Sequence, residues 1–573
     1  MTRTRSAWSK IPWWGPARWI TLPGIKKRPR RAGRGQSKAR RSRAHQASQE
    51  LAGGRLLHHP AESSEGKPAN VSVLAAIDIG SNSVRLKVAR IVHHRLKTVH
   101  DERFVTRLGD SVFREGALSP EAMDATIKVL RRFHRVVQSY GNGRVRIVGT
   151  SALREASNAA VFVAWVQSAI GWNVETISGL EEGRLIHLGV LTNSRISASN
   201  VLLIDLGGGS CELTVSTHGH IRDMFSLPLG AVRLTREFLN HDPPTDAEVR
   251  RLREDIAEEI GTVRRRIAAA VSSTIATSGT AAALAGATQA VEPSNRGAVA
   301  RTAVWRLAEE LSQLDVDGRS KWPGIGPRRA EIIVAGAYVF AELMERLKLP
   351  SFHYSPLGLR DGMLAQMLAD HDRAARSHRQ VEAEREDAVL AMSRRYQADT
   401  AAADNVRRFA LQLFRDLGRA HGLPAEYEAF LSAAARLHDV GRFVNRSGRH
   451  RHTHYLISNS ELFGFTAEQR QVIAAIARYI GRSRPRPSDA PVASLNRTHQ
   501  ELVPKAVVLL RLAKAMNHGN PGNVTRVTAK VDGKKVSLKL VSKRNRELEV
   551  WMLQKERPYF REVFGRDLVV ARE

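Results

Sequence analysis

The sequence predicts an α/β protein: two related α/β lobes with a cleft between them, then an all-helical region and a small α+β end. Three observations lead there. An apolar, β-rich run enters an Asp-plus-Gly turn and leaves as a return strand at Val73–Val88, and the same pattern recurs at Val201–Val215. Strand signals give way to long Ala/Leu/Arg-rich helices from about residue 378 to about 518. Alternation returns between Val524 and Val541. At about 100–200 residues per domain, a chain of 573 residues is also too long for one core.

Residues 1–72 are expected to be a disordered basic extension. They hold sixteen Lys/Arg against three Asp/Glu and show no apolar periodicity. Trp8, Trp13, Trp14 and Trp19 among those charges suit a membrane surface or nucleic acid; a translation start placed too early accounts for the same features. No apolar signal core follows the arginines.

Order begins at Val73. The first lobe is expected over 73–186. Val73–Ile77 is a buried strand, Asp78 to Ser83 a turn, and Val84, Leu86 and Val88 alternate with Arg85 and Lys87 as a half-buried strand. A helix is expected over 119–139, with Ser119 as its cap and Pro120 at its first position. Val145–Val148 is a strand that runs through Gly149-Thr150-Ser151 into a helix bearing Arg154. The second lobe is expected over 187–376, with strand Val201–Ile204, turn Asp205–Ser210, return strand Glu212–Val215, helices at about 245–270 and strand Thr274–Ala276. A helical domain over 377–518 and an α+β cap over 519–573, with a helix at Trp551, complete the chain.

The formal charge of +32 implies a polyanionic partner, since such a field raises the local concentration of anions; an Arg-rich genome contributes to the same number. Charge alone does not separate nucleic acid, acidic lipid and polyphosphate. The single cysteine, Cys211, excludes internal disulfides and multi-cysteine metal sites and fits a reducing cytoplasm. No run approaches about 18 apolar residues, so neither a membrane span nor a membrane partner is expected.

The chemistry resides in the two turns. A glycine-rich turn after a buried strand brings backbone N–H groups close to an anion, and Ser or Asn side chains add donors. Many single turns of this kind only reverse the chain. Asp78-Ile79-Gly80-Ser81-Asn82-Ser83 in one lobe and Asp205-Leu206-Gly207-Gly208-Gly209-Ser210 in the next make two phosphate clamps facing each other.

These motifs, with Thr150-Ser151-Ala152-Leu153-Arg154, Ile177 to Arg184, Glu212, Ser278-Gly279-Thr280 and Ser355 to Gly362, resemble the exopolyphosphatase and guanosine pentaphosphate phosphohydrolase (Ppx/GppA) family. That family lies within the actin-like, ribonuclease H-like superfamily. The resemblance covers about 500 residues from Val73 onward and is to the long form, with a C-terminal HD-like domain. It implies that Glu182 is the catalytic base and that Asp205 and Glu212, supported by Asp78, hold Mg²⁺ or another divalent cation. It implies phosphate binding by Arg154, Ser81, Asn82, Ser83, Gly207, Gly208, Gly209, Ser210, Ser278, Gly279 and Thr280. The substrate it implies is inorganic polyphosphate, cut to orthophosphate by in-line water attack, with guanosine pentaphosphate as the alternative and a homodimer as the assembly. A more distant alternative is a non-catalytic actin-like nucleotide or polyphosphate binder, which Glu182, Asp205 and Glu212 argue against.

Four further features compete for attention. Cys211 invites a nucleophile, but alternation turns it away from Ser210. His438-Asp439 is an HD-type metal signature, a low-ranking site because the preceding helix, Asp404 to Arg408, offers no histidine. Arg446, Arg449 and Arg451 belong to an arginine-dense stretch that would form a polyanion track. Pro323 to Ala330 reads like a single DNA-binding hairpin turn, so nucleic acid is expected only for the basic extension, if anywhere.

Overall fold

The computed structural model describes residues 73–571 apart from 142, 194–199, 268–270, 292–296 and 520, so the basic extension 1–72 lies outside the described residues. Two sheets repeat one strand order. The first contains β1 (Val73–Ile79), β2 (Ser83–Val92), β3 (Arg95–Val105), β4 (Arg144–Gly149) and β5 (Glu175–Thr176), in the order β3-β2-β1-β4-β5. The second contains β6 (Asn200–Leu206), β7 (Cys211–Thr217), β8 (His220–Leu227), β9 (Ser273–Thr277), β10 (Ala298–Ala300) and β11 (Ser351–Tyr354). Its order, read from the corresponding edge, is β8-β7-β6-β9-β11-β10. In each sheet three strands run as an antiparallel meander, and the strand on its other side pairs parallel to the first. This duplication matches the two related α/β lobes expected from the repeated strand-turn-strand pattern.

The local reasons are those read from the sequence. β1 and β6 lie between neighbours on both sides, and their continuous apolar runs are buried accordingly. The helix Pro120–Ser139 starts where expected, with Ser119 Oγ accepting from Ala122 N at 3.2 Å. The third meander strands, β3 and β8, carry mixed polar sequences that gave no apolar signal.

Chain order and packing part company in two places. The helix Leu359–His371 falls within the span expected for the second lobe, yet Met363, Leu364 and Leu368 pack on the first sheet with Leu74, Ala76 and Val148. It crosses the helix Gly179–Asn193 so closely that a Cβ on Gly362 would collide with the Leu185 carbonyl. Further on, the helices after residue 376 and the small sheet of β12 (Val524–Asp532), β13 (Lys535–Ser542) and β14 (Asp567–Val570) share one apolar core. Phe409, Leu431 and Val507 are buried there in one cluster with Val527, Leu540 and Phe560. Among the described residues no helix is long and apolar enough to cross a membrane.

Gly362→Ala should therefore destabilise the chain by at least the 1–3 kcal/mol or so of an overpacked core, read as a lower midpoint in urea unfolding.

Candidate active site

Antiparallel register builds the site. In the second sheet Asp205 pairs with Glu212 across β6 and β7, Glu212 with Ser226 on β8, and Asp205 with Thr277 on β9. Directly opposed residues share a face about 5 Å apart, so this row forms a polar strip. Ser226 Oγ donates to Glu212 Oε1 at 2.8 Å, and Thr277 Oγ1 donates to Asp205. The same row in the first sheet reads Arg103, Arg85, Asp78 on β3, β2 and β1. One lobe thus presents paired carboxylates, the other an aspartate followed across the strands by two arginines.

The turns beyond these rows are twins. Gly80 N donates to Ser83 O at 3.1 Å, and Gly207 N donates to Ser210 O at 2.9 Å. Together with the segments after β4 and β9 they line a cavity of about 280 Å³ that includes Asp78, Ser81, Asn82, Ser83, Glu182, Asp205, Gly207, Gly208, Gly209, Ser210, Ser278 and Gly279. Several donors in its wall are buried and have no partner: Ser81 Oγ, Asn82 Nδ2, Ser278 Oγ, Arg103 Nε and Nη2, and Arg329 Nε. Donors left unsatisfied in a polar cleft are what an oxyanion ligand would engage. Ser278 holds a φ of +84°, a strained backbone of the kind that accumulates at functional sites.

Glu182 arrives on the first turn of the helix Gly179–Asn193. Glu182, Asp205 and Glu212 each offer a carboxylate oxygen within 4.8 Å of the others. Burial and then the neighbouring Glu212 raise the pKa of Glu182, while burial followed by Asp205 pushes Glu212 up to about 7. Burial raises Asp205 against the opposing Thr277 hydrogen bond. Glu212 Oε2 is buried without a partner. A set of three hard oxygen donors that resist ionising together fits a divalent cation, which would exchange for their protons. Asp78 is raised by burial and faces the same cavity, but it is not one of the three converging groups.

Arg154 stands beside this cluster, with Nη1 donating to Glu182 at 3.2 Å and to the Ile177 carbonyl at 2.9 Å, and Nη2 to Ser210 Oγ at 3.4 Å. Thr280 is buried, its methyl lies against Gly336 of the helix Ile333–Arg346, and it is not among the residues that line the cavity. Cys211 packs in the core of the second sheet, and burial drives its thiol pKa up.

Sequence reasoning missed four arginines that line the cavity: Arg85, Arg103, Arg329 and Arg360. Burial and then Arg85 push Arg103 down to about 10, and burial followed by Arg103 lowers Arg329. Arg85 could have been found by setting Asp78–Arg85 against Asp205–Glu212, since both pairs are seven residues apart. Arg329 comes from the turn that reads like a DNA-binding motif. Gly324 and Gly326 there have φ of +83° and +65°, and the turn delivers Arg329 against Gly279, where any Cβ would clash with the guanidinium.

Among the described residues the HD-like pair is not part of a converging group of three or more potential metal ligands. His438 Nδ1 bonds the Ala435 carbonyl at 2.7 Å, and its other nitrogen, the one a metal would need, meets Lys514 Nζ at 2.8 Å. Asp439 lies 3.7 Å from Lys514, 3.4 Å from Arg449 and 3.6 Å from Arg442. Protein cations already surround the carboxylate. The arginine track is also divided. Arg449 turns to Asp439, Arg446 sits in an exposed turn, and only Arg451 joins Arg478, Arg482, Arg484 and Arg486 around a groove of about 810 Å³.

Two α/β lobes closing on clustered carboxylates and unpartnered cationic donors define a protein equipped to hold a divalent cation beside an oxyanion. The profile of the Ppx/GppA phosphatase family matches residues 87–371, that of Ppx/GppA phosphatase domain III matches 385–557, and the chain belongs to this family. It is similar to the Aquifex aeolicus Ppx/GppA family member at 30% identity, over 52% of this chain and 98% of that one, with a TM-score of 0.46. A second structure of an Aquifex aeolicus Ppx/GppA enzyme is 32% identical over 51% and 98%, with a TM-score of 0.44. An exopolyphosphatase from Cytophaga hutchinsonii is 25% identical over 52% and 97%, with a TM-score of 0.49. The protein is a phosphatase.

Two outcomes are expected. Millimolar Mg²⁺ should raise the melting temperature of the wild-type chain, by about 2.7 kcal/mol of stability at a hundredfold excess over Kd, and Asp205→Asn with Glu212→Gln should abolish that shift. Separately, burial followed by like charge (Lys514 for His438, Arg449 for His450) pushes these two histidines from 6.5 down to about 4. The unfolded chain takes those protons first, so the stability they contribute is complete above 6.5 and is lost as pH falls toward 4. Melting temperatures across that range should fall less steeply for His450→Gln.

Proposed function

We propose that this phosphatase removes terminal phosphates from inorganic polyphosphate, releasing orthophosphate. The observation that carries the reading is the wall of buried, unpartnered donors next to three converging carboxylates. In this reading Glu182 takes the proton of the attacking water. Ser81, Asn82, Ser83, Gly207, Gly208, Gly209, Ser210, Ser278 and Gly279 present donors to the terminal phosphates. Arg154, Arg85, Arg103 and Arg329 hold non-bridging oxygens and stabilise charge on the departing chain. A divalent cation, Mg²⁺ in this proposal, held by Asp205 and Glu212 with Asp78 in support, neutralises phosphate charge when bound. The attack is direct, with no covalent intermediate.

Polyphosphate is preferred over guanosine pentaphosphate on two grounds. Tyr354 is the one aromatic side chain in the cavity wall, a sparse platform for a nucleobase. The arginine groove around Arg451 offers a second basic surface that a long anion can reach and a nucleotide does not need. The similar Cytophaga hutchinsonii protein is an exopolyphosphatase, which agrees. A cytoplasmic setting, supported by the lone free cysteine, a homodimer, and division of the chain near residues 72, 186, 376 and 518 belong to the same proposal.

Phosphate release from long polyphosphate should exceed that from guanosine pentaphosphate at matched terminal-phosphate concentration with Mg²⁺; the reverse preference would assign the nucleotide. Glu182→Gln should lower kcat by about 10²–10⁴-fold, the usual worth of a general base, while polyphosphate binding persists. Arg451→Ala with Arg482→Ala should raise KM for long chains more than for short ones, and equal effects would remove the groove from the reading.

A further inference from the structure

Glu182 and Arg184 stand two residues apart on one helix, so at 3.6 residues per turn they project from nearly opposite sides. Glu182 faces Asp205 and Glu212. Arg184 faces away, and its side chain is 1% exposed. Its Nε and Nη2 grip Glu181 at 2.7 and 2.8 Å, and its Nη1 donates to Glu384 at 2.5 Å. Nη2 also donates to Gln366. Glu384 lies on Arg376–Arg395, the first helix beyond the lobes. Gln366 Nε2 donates at 3.0 Å to the Gly464 carbonyl, which accepts Arg385 Nε at 2.9 Å as well. The back of the Glu182 helix is therefore tied to two separate segments of the helical region.

The tie acts on the turn that matters. Ser178 Oγ accepts from Glu181 N at 3.1 Å and the Ser178 carbonyl accepts from Glu182 N at 3.0 Å, so Glu181 and Glu182 move as one capped turn. Three carboxylates within 4.8 Å repel one another, and the helix carrying one of them needs an anchor on its far side. A buried guanidinium between two carboxylates supplies it, because removing either partner leaves an uncompensated charge.

We infer that Glu384 is a positioning residue for hydrolysis: through Arg184 and Glu181 it fixes the first turn of the Glu182 helix, so the helical region must be docked for Glu182 to stand against Asp205 and Glu212. The inference rests on the reading of Glu182 as the base.

The test measures phosphate release from inorganic polyphosphate by full-length variants. Glu384→Ala should lower kcat by about 10²-fold, the usual result of displacing a catalytic group by an ångström, with KM unchanged because the phosphate-binding turns do not touch the network. Glu384→Gln keeps an acceptor for Arg184 without the charge and should fall between alanine and wild type; it carries the comparison if the alanine variant melts below the assay temperature. In a Glu182→Gln background, Glu384→Ala should cost nothing further, since both changes act on one base. A loss that adds in full in that background, or a rise in KM at constant kcat, overturns the coupling. An undiminished kcat in Glu182→Gln alone overturns the base assignment instead, while the Glu384 variants still report on the tie.

Discussion

The register that sets Asp205 opposite Glu212 in one hairpin and Asp78 opposite Arg85 in the other is the constraint on which the cleft depends. Side chains alternate along a strand, so a slip of one residue would turn both rows to the opposite face and leave the glycine turns without chemistry. The same backbone presents two chemistries because two positions of the row differ between the lobes. Where the second lobe has Glu212, the first has Arg85, and the adjoining strand adds Ser226 in one lobe and Arg103 in the other. A cation-binding row and an anion-binding row then face a common space.

Such a space is costly to maintain. Burial raises the carboxylates of one row and lowers the arginines of the other, which means that neither set is at ease without a partner. The scaffold around them is correspondingly well tied. Arg233 holds Glu155 and the Gly209 carbonyl, joining the helix after one clamp to the helix that bears Arg154. Lys87 reaches Asp361 at 2.8 Å and Arg360 reaches Asp101 at 2.6 Å, tying the helix Leu359–His371 to the first sheet. These pairs join segments distant in sequence and fix the scaffold that carries the rows.

The helical region enters the same economy of charge from outside. In its HD-like pair, His438 meets Lys514, and Asp439 lies among Lys514, Arg449 and Arg442. Its contact with the Glu182 helix runs through Arg184, whose two carboxylate partners come from either side of the junction.

The lobes, the two glycine turns and the helix cap at Ser119 were legible in the chain alone, because each rests on a short-range rule: period two, turn chemistry and cap geometry. Glu182, Asp205 and Glu212 were singled out by the family resemblance, and folding is what brings their carboxylates together. The first-lobe arginines were hidden because a cross-strand row spans residues 78, 85 and 103, and only pairing makes them neighbours. Arg329 was hidden because its turn gains meaning only where it meets Gly279. The return of the Leu359–His371 helix to the first sheet, the core shared by the helices and the terminal hairpin, and the division of the arginine stretch were likewise set by packing. Local sequence determined which groups could do the chemistry; which of them share one cleft was decided by tertiary structure, since contacts between distant segments depend on which surfaces bury each other.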